Sequence, residues 1–224
     1  MDEHAPTPFG DLTVRGFVDR LASGDPIPGG GSASAVAAAL GAALVAMVAA
    51  LSEGREKYAE HTELVTDARL RAERLATSFL ELADEDATAY GAFSAALKLP
   101  RETDADRSAR NAALGRTALR AAEVPLRCVE LCRDLVSIAE TLAGRSNRNA
   151  SSDLAVATLL AQAAAQGAMA NVLVNVPSIG DAEAADDLVG KAKRAMDDVD
   201  GLAAATRQVV QSGEARQPAA VDAS

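Results

Sequence analysis

The sequence predicts an all-α protein: a compact single-domain helical bundle with a buried, alanine-rich helix at its centre. Hydrophobic residues make up 49% of the 224 residues, but aromatic residues only 3%, and tryptophan is absent. The core must therefore be built from Ala, Val and Leu. Ala and Leu are strong helix formers, and short side chains let helices approach closely. We assign residues 1–212 to this domain and expect residues 213–224 to form a disordered tail.

Six helices are predicted, separated by glycine, proline or polar segments. They cover approximately residues 13–22, 32–53, 61–97, 104–143, 152–175 and 181–211. Residues 25–31 contain two prolines and three consecutive glycines, so they are predicted to form a loop, with Ser32 as the N-cap of the second helix. Pro125 predicts a break or a kink in the fourth helix, because proline has no backbone N–H. Ser152 and Asp153 are predicted to open the fifth helix.

The second predicted helix contains a stretch that is long enough to cross a membrane. Ser32–Leu51 has 20 residues without a charge, which meets the length of a membrane span. It consists mostly of Ala and Gly, however, and lacks the Trp or Tyr that anchor spans at the interface. A helix that is apolar on all sides is buried either in lipid or in a protein interior. We predict a central core helix and no membrane span.

The charge and the cysteines limit the partners and the compartment. With 32 acidic and 22 basic residues, the net charge is −10, which disfavours binding to the phosphate backbone of nucleic acids. Cys128 and Cys132 are too few for a disulfide framework, and Met1–Gly10 is acidic and proline-bearing, unlike a signal peptide. No histidine stands at metal-ligand spacing from these cysteines. We therefore expect a cytoplasmic protein without a metal site.

An apolar stripe on the third predicted helix includes one carboxylate. Steps of three or four residues from Phe79 reach Ala83, Asp86, Tyr90, Phe93 and Leu97. Among such side chains a carboxyl group loses hydration, which raises its pKa and suits it to proton transfer near neutral pH. The same pattern is typical of a structural aspartate that pairs with a basic side chain or caps a neighbouring helix. The spacing alone slightly favours the structural interpretation of Asp86.

The fifth predicted helix carries a polar set on one face. Asp153 and Asn171 are 18 residues apart, which is five full helical turns, and Asn175 follows one turn later. Two amides at i,i+4 can present hydrogen-bond donors and acceptors in a row, as a planar heterocycle requires. Hydrogen bonding between helices across an alanine-lined contact explains the pattern equally well.

The loop Pro28-Gly29-Gly30-Gly31-Ser32 leads directly into a helix. Glycines let the backbone approach a ligand, and free amides at a helix start attract anions. No Gly-Lys-Ser/Thr follows, so the segment is not a P-loop. A tight turn packed against another helix explains it as well.

Four stretches resemble the cyclodeaminase/cyclohydrolase family, which includes the C-terminal half of formiminotransferase-cyclodeaminase and stand-alone bacterial methenyltetrahydrofolate cyclohydrolases. They are FVDRLASGDPIPGGGSASAVAAALG (17–41), DATAY (86–90), AEVPL (122–126) and NRNASSDLAVATLLAQAAAQGAMANVLVN (147–175). The likeness covers nearly the whole chain in the expected order. One departure is Ser146, where the family usually has glycine before the asparagine that corresponds to Asn147.

The resemblance implies an all-helical homodimer that acts on one-carbon folates without a metal or a redox cofactor. The reaction would be hydrolysis of 5,10-methenyltetrahydrofolate or loss of ammonia from 5-formiminotetrahydrofolate, and the lack of an attached formiminotransferase domain slightly favours hydrolysis. Asp86, as general acid or base, and Asp153 are the catalytic carboxylates that it implies. The implied folate-binding residues are Pro28, Gly29, Gly30, Gly31, Ser32, Tyr90, Asn147, Asn171 and Asn175. A non-catalytic folate-binding or helical scaffold protein is the alternative.

Overall fold

The structure is a computed structural model that describes residues 7–217, and its regular structure is entirely helical within that range. The six α-helices are α1 (Val14–Leu21), α2 (Gly30–Ala50), α3 (Thr62–Leu97), α4 (Asp104–Leu142), α5 (Ser151–Asn175) and α6 (Ala182–Ser212). Short 3-10 turns lie at Phe9–Asp11, Glu56–His61, Arg148–Ala150 and Val176–Ser178. The all-α prediction is confirmed, and the helix bounds agree with the predicted ones to within three residues.

Helix α2 forms the centre of the bundle. It packs against α3 and α5, and α4 in turn packs against α3, α5 and α6. Its inward side chains are fully buried, and these are mainly small: Ala38, Ala42, Val45, Val48 and Ala49. The prediction of a buried, alanine-rich central helix is therefore confirmed.

Close packing between α2 and α5 depends on two glycines. A Cβ at Gly167 would overlap the hydroxyl oxygen of Ser34, and one at Gly41 would lie 3.1 Å from the carbonyl oxygen of Ala157. Residue numbers rise along α2 and fall along α5 between these contacts, so the two helices run antiparallel. The amino end of α2 therefore lies beside the carboxyl end of α5.

By length and composition alone, α2 and the segment Arg148–Ser178 would each suffice to cross a membrane. About half of the apolar window in α2 is buried inside the bundle. The core helix of a soluble protein passes the same test, so the finding decides nothing, and the absence of a membrane span stays a prediction.

Three helix signals differ from their predictions. Helix α2 begins at Gly30 with Gly29 as its N-cap, so Ser32 is the third helical residue and not the cap. The reason is that Gly29 already has the extended backbone of a cap, while the Ser32 hydroxyl donates to α3. Likewise, α4 is not broken at Pro125 but continues through it. The start of α5 at Ser151 has no side-chain cap either.

The first residues after α6 are packed against the bundle. Gly213 ends the helix with a left-handed backbone, φ 64°. The N–H of Arg216 donates to the carbonyl oxygen of Gly144 at 3.0 Å, and its guanidinium lies 2.6 Å from a carboxylate oxygen of Glu140. Residues 213–217 thus contact the bundle, and residues 218–224 lie outside the described residues. The division into a helical domain at 1–212 and a disordered tail at 213–224 stays a prediction.

Candidate functional site

A cavity of about 490 Å³ opens where the amino end of α2, the middle of α3 and the carboxyl end of α5 meet. This volume is within the range of small-molecule sites. Among its lining residues are most of those predicted to form the site: Gly29, Gly30, Gly31, Asp86, Tyr90, Asn171 and Asn175. The remaining lining residues are Pro26, Ile27, Ala87, Phe93, Ala121, Val174 and Ser178.

Asp86 is held by the first turn of α2. The hydroxyl of Ser32, itself fully buried, lies 3.0 Å from Asp86 Oδ2 and 2.9 Å from the carbonyl oxygen of Ala83. Burial raises the pKa of Asp86, while hydrogen bonds from the Ser32 hydroxyl and backbone N–H act in the opposite direction. Oδ1 has no hydrogen-bond partner within residues 7–217 and is not shut away from solvent. One oxygen is therefore fixed, and the other is available to a ligand.

This arrangement combines the two interpretations of Asp86. The carboxyl group satisfies donors at the amino end of α2, as a structural aspartate would. The same group also faces a cavity with a raised pKa, as a proton-transfer residue would.

Gly31 makes room for this carboxyl group. A Cβ at Gly31 would overlap Oδ1 of Asp86 and would lie 2.5 Å from Cγ and 2.6 Å from Oδ2, which is closer than real Cβ atoms approach. The carboxyl group therefore rests directly on the backbone of α2. At Gly30, by contrast, a Cβ would meet Asn171 Nδ2 at an ordinary 3.6 Å.

The two predicted amides lie on the opposite wall. Asn171 Nδ2 donates to the carbonyl oxygen of Gly167 at 2.8 Å. Asn175 Nδ2 donates to the carbonyl oxygens of Asn171 at 2.8 Å and of Ala121 at 3.0 Å. Asn175 thus links α5 to α4, whereas Asn171 bonds only within α5, and both side chains line the cavity. Their use in binding a ligand stays a prediction.

Tyr90 forms part of the rim. It is 45% exposed, and Phe93 lies near it on the same side of α3. The stripe of α3 is buried at Phe79 and Ala83 and then opens into the cavity from Asp86 onward. An aromatic rim of this kind offers a flat apolar surface to a ring system.

Two predicted site residues lie away from the cavity. Asp153 is in the first turn of α5, about 27 Å along the helix from Asn171 at the usual rise per residue. A negative charge there favours the helix start. Asn147 is buried and holds its loop to the end of α2: its N–H donates to the Ser52 hydroxyl at 2.7 Å and its Nδ2 to the carbonyl oxygen of Leu51 at 3.3 Å. The fold of the chain therefore brings neither residue to the cavity.

Two further predicted residues lie next to the cavity without lining it. Pro28 is buried beside Ile27 and Gly29, and Ser32 reaches the site only through Asp86. Ala121 and Val174, in contrast, line the cavity without having been predicted. No sequence pattern could single them out, because they are ordinary apolar helix residues.

No group of three His, Cys, Asp or Glu side chains within residues 7–217 could hold a metal ion. Cys128 and Cys132 are unpaired thiols in the hydrophobic core. Their packing fits the prediction of core thiols.

Comparison with known proteins places these features in a family. The sequence model described as formiminotransferase-cyclodeaminase matches residues 13–194. A methenyltetrahydrofolate cyclohydrolase of Methylorubrum extorquens is 37% identical over 178 residues, which are 80% of this chain and 86% of that protein. The formimidoyltransferase-cyclodeaminase of Mus musculus is 36% identical over 172 residues, which are 76% of this chain but only 32% of that longer protein.

A solved structure agrees with the sequence relatives. The crystal structure of formiminotetrahydrofolate cyclodeaminase from Thermotoga maritima superimposes with a TM-score of 0.75 at 25% identity, covering 91% of this chain and 98% of that one. The matched range includes the glycine loop, Asp86 and both amides. The resemblance seen in the sequence is confirmed: the chain belongs to the formiminotransferase-cyclodeaminase family.

Proposed function

We propose that the protein is a one-carbon folate enzyme that hydrolyses 5,10-methenyltetrahydrofolate, that is, a methenyltetrahydrofolate cyclohydrolase. The observation that carries the proposal is Asp86, the one charged side chain among the described residues that line the cavity. The methenyl bridge of the substrate is a cation shared by two nitrogen atoms. A carboxylate opposite this bridge complements its charge, and the surrounding low dielectric strengthens the attraction.

Asp86 also supplies the proton transfer that the hydrolysis needs. Water adds to the electrophilic methenyl carbon and loses one proton to Asp86 Oδ1, which leaves a neutral hydroxyl adduct. The proton then passes from Asp86 to one ring nitrogen as the bond between that nitrogen and the carbon breaks. The adduct hydroxyl loses its own proton to solvent as the formyl C=O forms, so the reaction releases one proton overall. A raised pKa makes Asp86 a stronger base than an ordinary carboxylate. Ser32 holds the other oxygen, so Oδ1 keeps its orientation.

Ammonia loss from 5-formiminotetrahydrofolate is the second candidate, favoured by the likeness to the Thermotoga maritima cyclodeaminase. In that reaction N10 attacks the formimino carbon, and ammonia leaves from the adduct after protonation. A protonated Asp86 would be the acid, which the raised pKa also favours. Both reactions rearrange bonds at carbon without a change of oxidation state, so the proposal includes no redox cofactor and no metal.

The proposal includes a homodimer. The antiparallel helices α2 and α5, together with the residue that follows α2, carry six large apolar side chains that are exposed, called here the α2/α5 face. It consists of Leu40, Met47, Leu51, Val156, Leu159 and Leu173, each 39–56% exposed. Exposed apolar patches of this kind are typical of protein interfaces, and a two-fold dimer buries the same face of both copies.

The proposal also places the protein in the cytoplasm, apart from membranes and nucleic acids. The unpaired Cys128 and Cys132 suit a reducing compartment, and the net charge of −10 disfavours phosphate backbones.

The deciding experiment follows the absorbance of the methenyl chromophore with the purified protein. Decay of added 5,10-methenyltetrahydrofolate, beyond the spontaneous rate, is expected for the cyclohydrolase. Appearance of the same chromophore from 5-formiminotetrahydrofolate would identify the cyclodeaminase instead. If neither signal changes with wild-type protein, both enzymatic proposals are wrong, and a non-catalytic binding or scaffold protein is left.

A further inference from the structure

Pro125 leaves one carbonyl oxygen of α4 without its helical partner. In an α-helix the N–H of residue i donates to the carbonyl oxygen of residue i−4, and proline has no N–H. The carbonyl of Ala121 is therefore orphaned within α4. Ala121 also lines the cavity, so the vacancy lies at the candidate site.

The side chain of Asn175 on α5 fills this vacancy. Its Nδ2 donates one hydrogen to the carbonyl oxygen of Ala121 at 3.0 Å and the other to that of Asn171 at 2.8 Å. Both amide hydrogens are thus committed to main-chain carbonyls. Because a carbonyl oxygen cannot donate, only this orientation of the amide group makes the two bonds.

The consequence is a fixed polarity in the cavity wall. Since the nitrogen faces the main chain, Asn175 Oδ1 must face the other way. Asn171 is oriented similarly, with Nδ2 bound to the carbonyl oxygen of Gly167. Neither Oδ1 has a hydrogen-bond partner within the part of the chain described, and neither is enclosed away from solvent.

We propose that Pro125 and Asn175 form a coupled pair that determines ligand specificity, by turning the amide oxygens of Asn175 and Asn171 toward the ligand as hydrogen-bond acceptors. The wall then selects a flat ligand whose edge carries N–H donors. This inference rests on the proposed function for the identity of that ligand, since the amino group and ring N–H groups of a tetrahydropterin form such an edge.

A purely structural role of Asn175 predicts different behaviour. If Asn175 only satisfied Ala121, its loss would lower stability without a specific effect on the ligand. Pro125→Ala separates the two roles, because the introduced alanine would supply the ordinary backbone N–H to the carbonyl oxygen of Ala121. In the Pro125→Ala variant the Ala121 carbonyl no longer needs a hydrogen bond from the Asn175 amide, while Asn175 Oδ1 could still accept a hydrogen bond from the ligand.

The test compares four full-length proteins: wild type, Pro125→Ala, Asn175→Ala and the double variant. Urea unfolding reports stability, and titration calorimetry with tetrahydrofolate reports the dissociation constant. Asn111→Ala is the matched control, because Asn111 is exposed on α4 and makes no side-chain hydrogen bond within residues 7–217. It should leave both quantities unchanged.

Asn175→Ala should lower the urea midpoint and weaken binding roughly tenfold, as expected for one lost hydrogen bond with its partner left unpaired. Pro125→Ala should keep or raise the midpoint and weaken binding by about threefold to tenfold, because the freed amide can turn. The double variant should regain the midpoint but not the binding. Wild-type affinity in the double variant would overturn the specificity role, and a midpoint as low as that of Asn175→Ala would overturn the pairing with Pro125.

An analogue that lacks the amino group of the pterin provides a second readout. Wild type should bind it roughly tenfold more weakly than tetrahydrofolate, and Asn175→Ala should bind the two ligands alike. Equal discrimination by both proteins would refute recognition by the amide oxygens. If wild type binds neither ligand, the folate function and this recognition both fail, whereas the stability comparison still decides whether Pro125 and Asn175 are paired.

Discussion

Replacing Gly31 by alanine should remove nearly all turnover and leave the fold intact. The added Cβ would overlap Asp86 Oδ1, the atom nearest to it, and would lie 2.5 Å from Cγ, whereas ordinary contact begins at 3.4 Å. The carboxyl carbon must therefore retreat by at least 0.9 Å (3.4 − 2.5). The retreat also stretches the 3.0 Å hydrogen bond from Ser32. A misplacement of about 1 Å can cost roughly 10² in rate, and loss of a proton-transfer group costs about 10²–10⁴. We expect a fall in kcat within this range.

The methenyl absorbance assay measures kcat, and circular dichroism with thermal unfolding checks the fold. Alanine has a higher helix propensity than glycine, so the substitution should not lower Tm by weakening the helix itself. Gly30→Ala is the matched control, because its Cβ makes only an ordinary contact with Asn171 Nδ2. Its loss of turnover should be much smaller. Equal turnover in the Gly31→Ala and Gly30→Ala variants would refute the inference that the missing side chain of Gly31 is needed to position Asp86.

Four further predictions concern the same site and the proposed dimer. Asp86→Asn should keep the fold and lower turnover roughly 10²–10⁴-fold; retention of more than about half would exclude Asp86 as the catalytic group. Because the pKa of Asp86 is raised in the folded state, its ionisation costs stability as the pH rises through that pKa. The unfolding free energy of Asp86→Asn relative to wild type should therefore be more favourable at about pH 7 than at about pH 4, and an unchanged difference would contradict the raised pKa. Ser32→Ala should move the Asp86-dependent limb of the pH–rate profile to higher pH, because the hydrogen bond from Ser32 lowers the pKa of Asp86. Ser34→Ala, which removes a hydroxyl bound only to its own helix, should leave that limb unchanged. Equal profiles of the two variants would exclude Ser32 as the residue that positions Asp86. Leu40→Glu should yield monomers in analytical ultracentrifugation, and an intact dimer would place the interface elsewhere.

Most of the fold could be predicted from composition and periodicity. The positions of the helices follow from where glycine, proline and polar segments interrupt helix formers, and the uncharged run from Ser32 identified the central helix. Two local features differed from their predictions, because a residue elsewhere in the fold took the expected hydrogen-bonding role. Ser32 is an effective cap by residue type, but Gly29 took that place because the hydroxyl was used by α3. Pro125 predicts a break or a kink in α4, yet the helix continues through it, and the partner that keeps the Ala121 carbonyl satisfied comes from a distant helix.

The site was predictable in part. Spacing on one helix placed Asp86 in an apolar stripe, and the family motif indicated the glycines and amides that line the cavity. The 18-residue spacing already put Asp153 at the far end of α5 from Asn171, and it was the family resemblance that made Asp153 a site candidate. Spacing could not reveal the polarity of the Asn175 amide, because that depends on the register between α4 and α5.

The contacts of Arg216 bear on where the chain can be shortened. A protein cut after Ser212 would match the helical boundary, yet it would remove the ion pair to Glu140 and the donor to the Gly144 carbonyl. It would also expose the backbone of Gly144, over which the carbonyl oxygen of Glu214 lies. Residue 217 is therefore the safer end point for crystallisation or for a fused partner, and a truncation at 212 should sacrifice rigidity at the carboxyl end of α4.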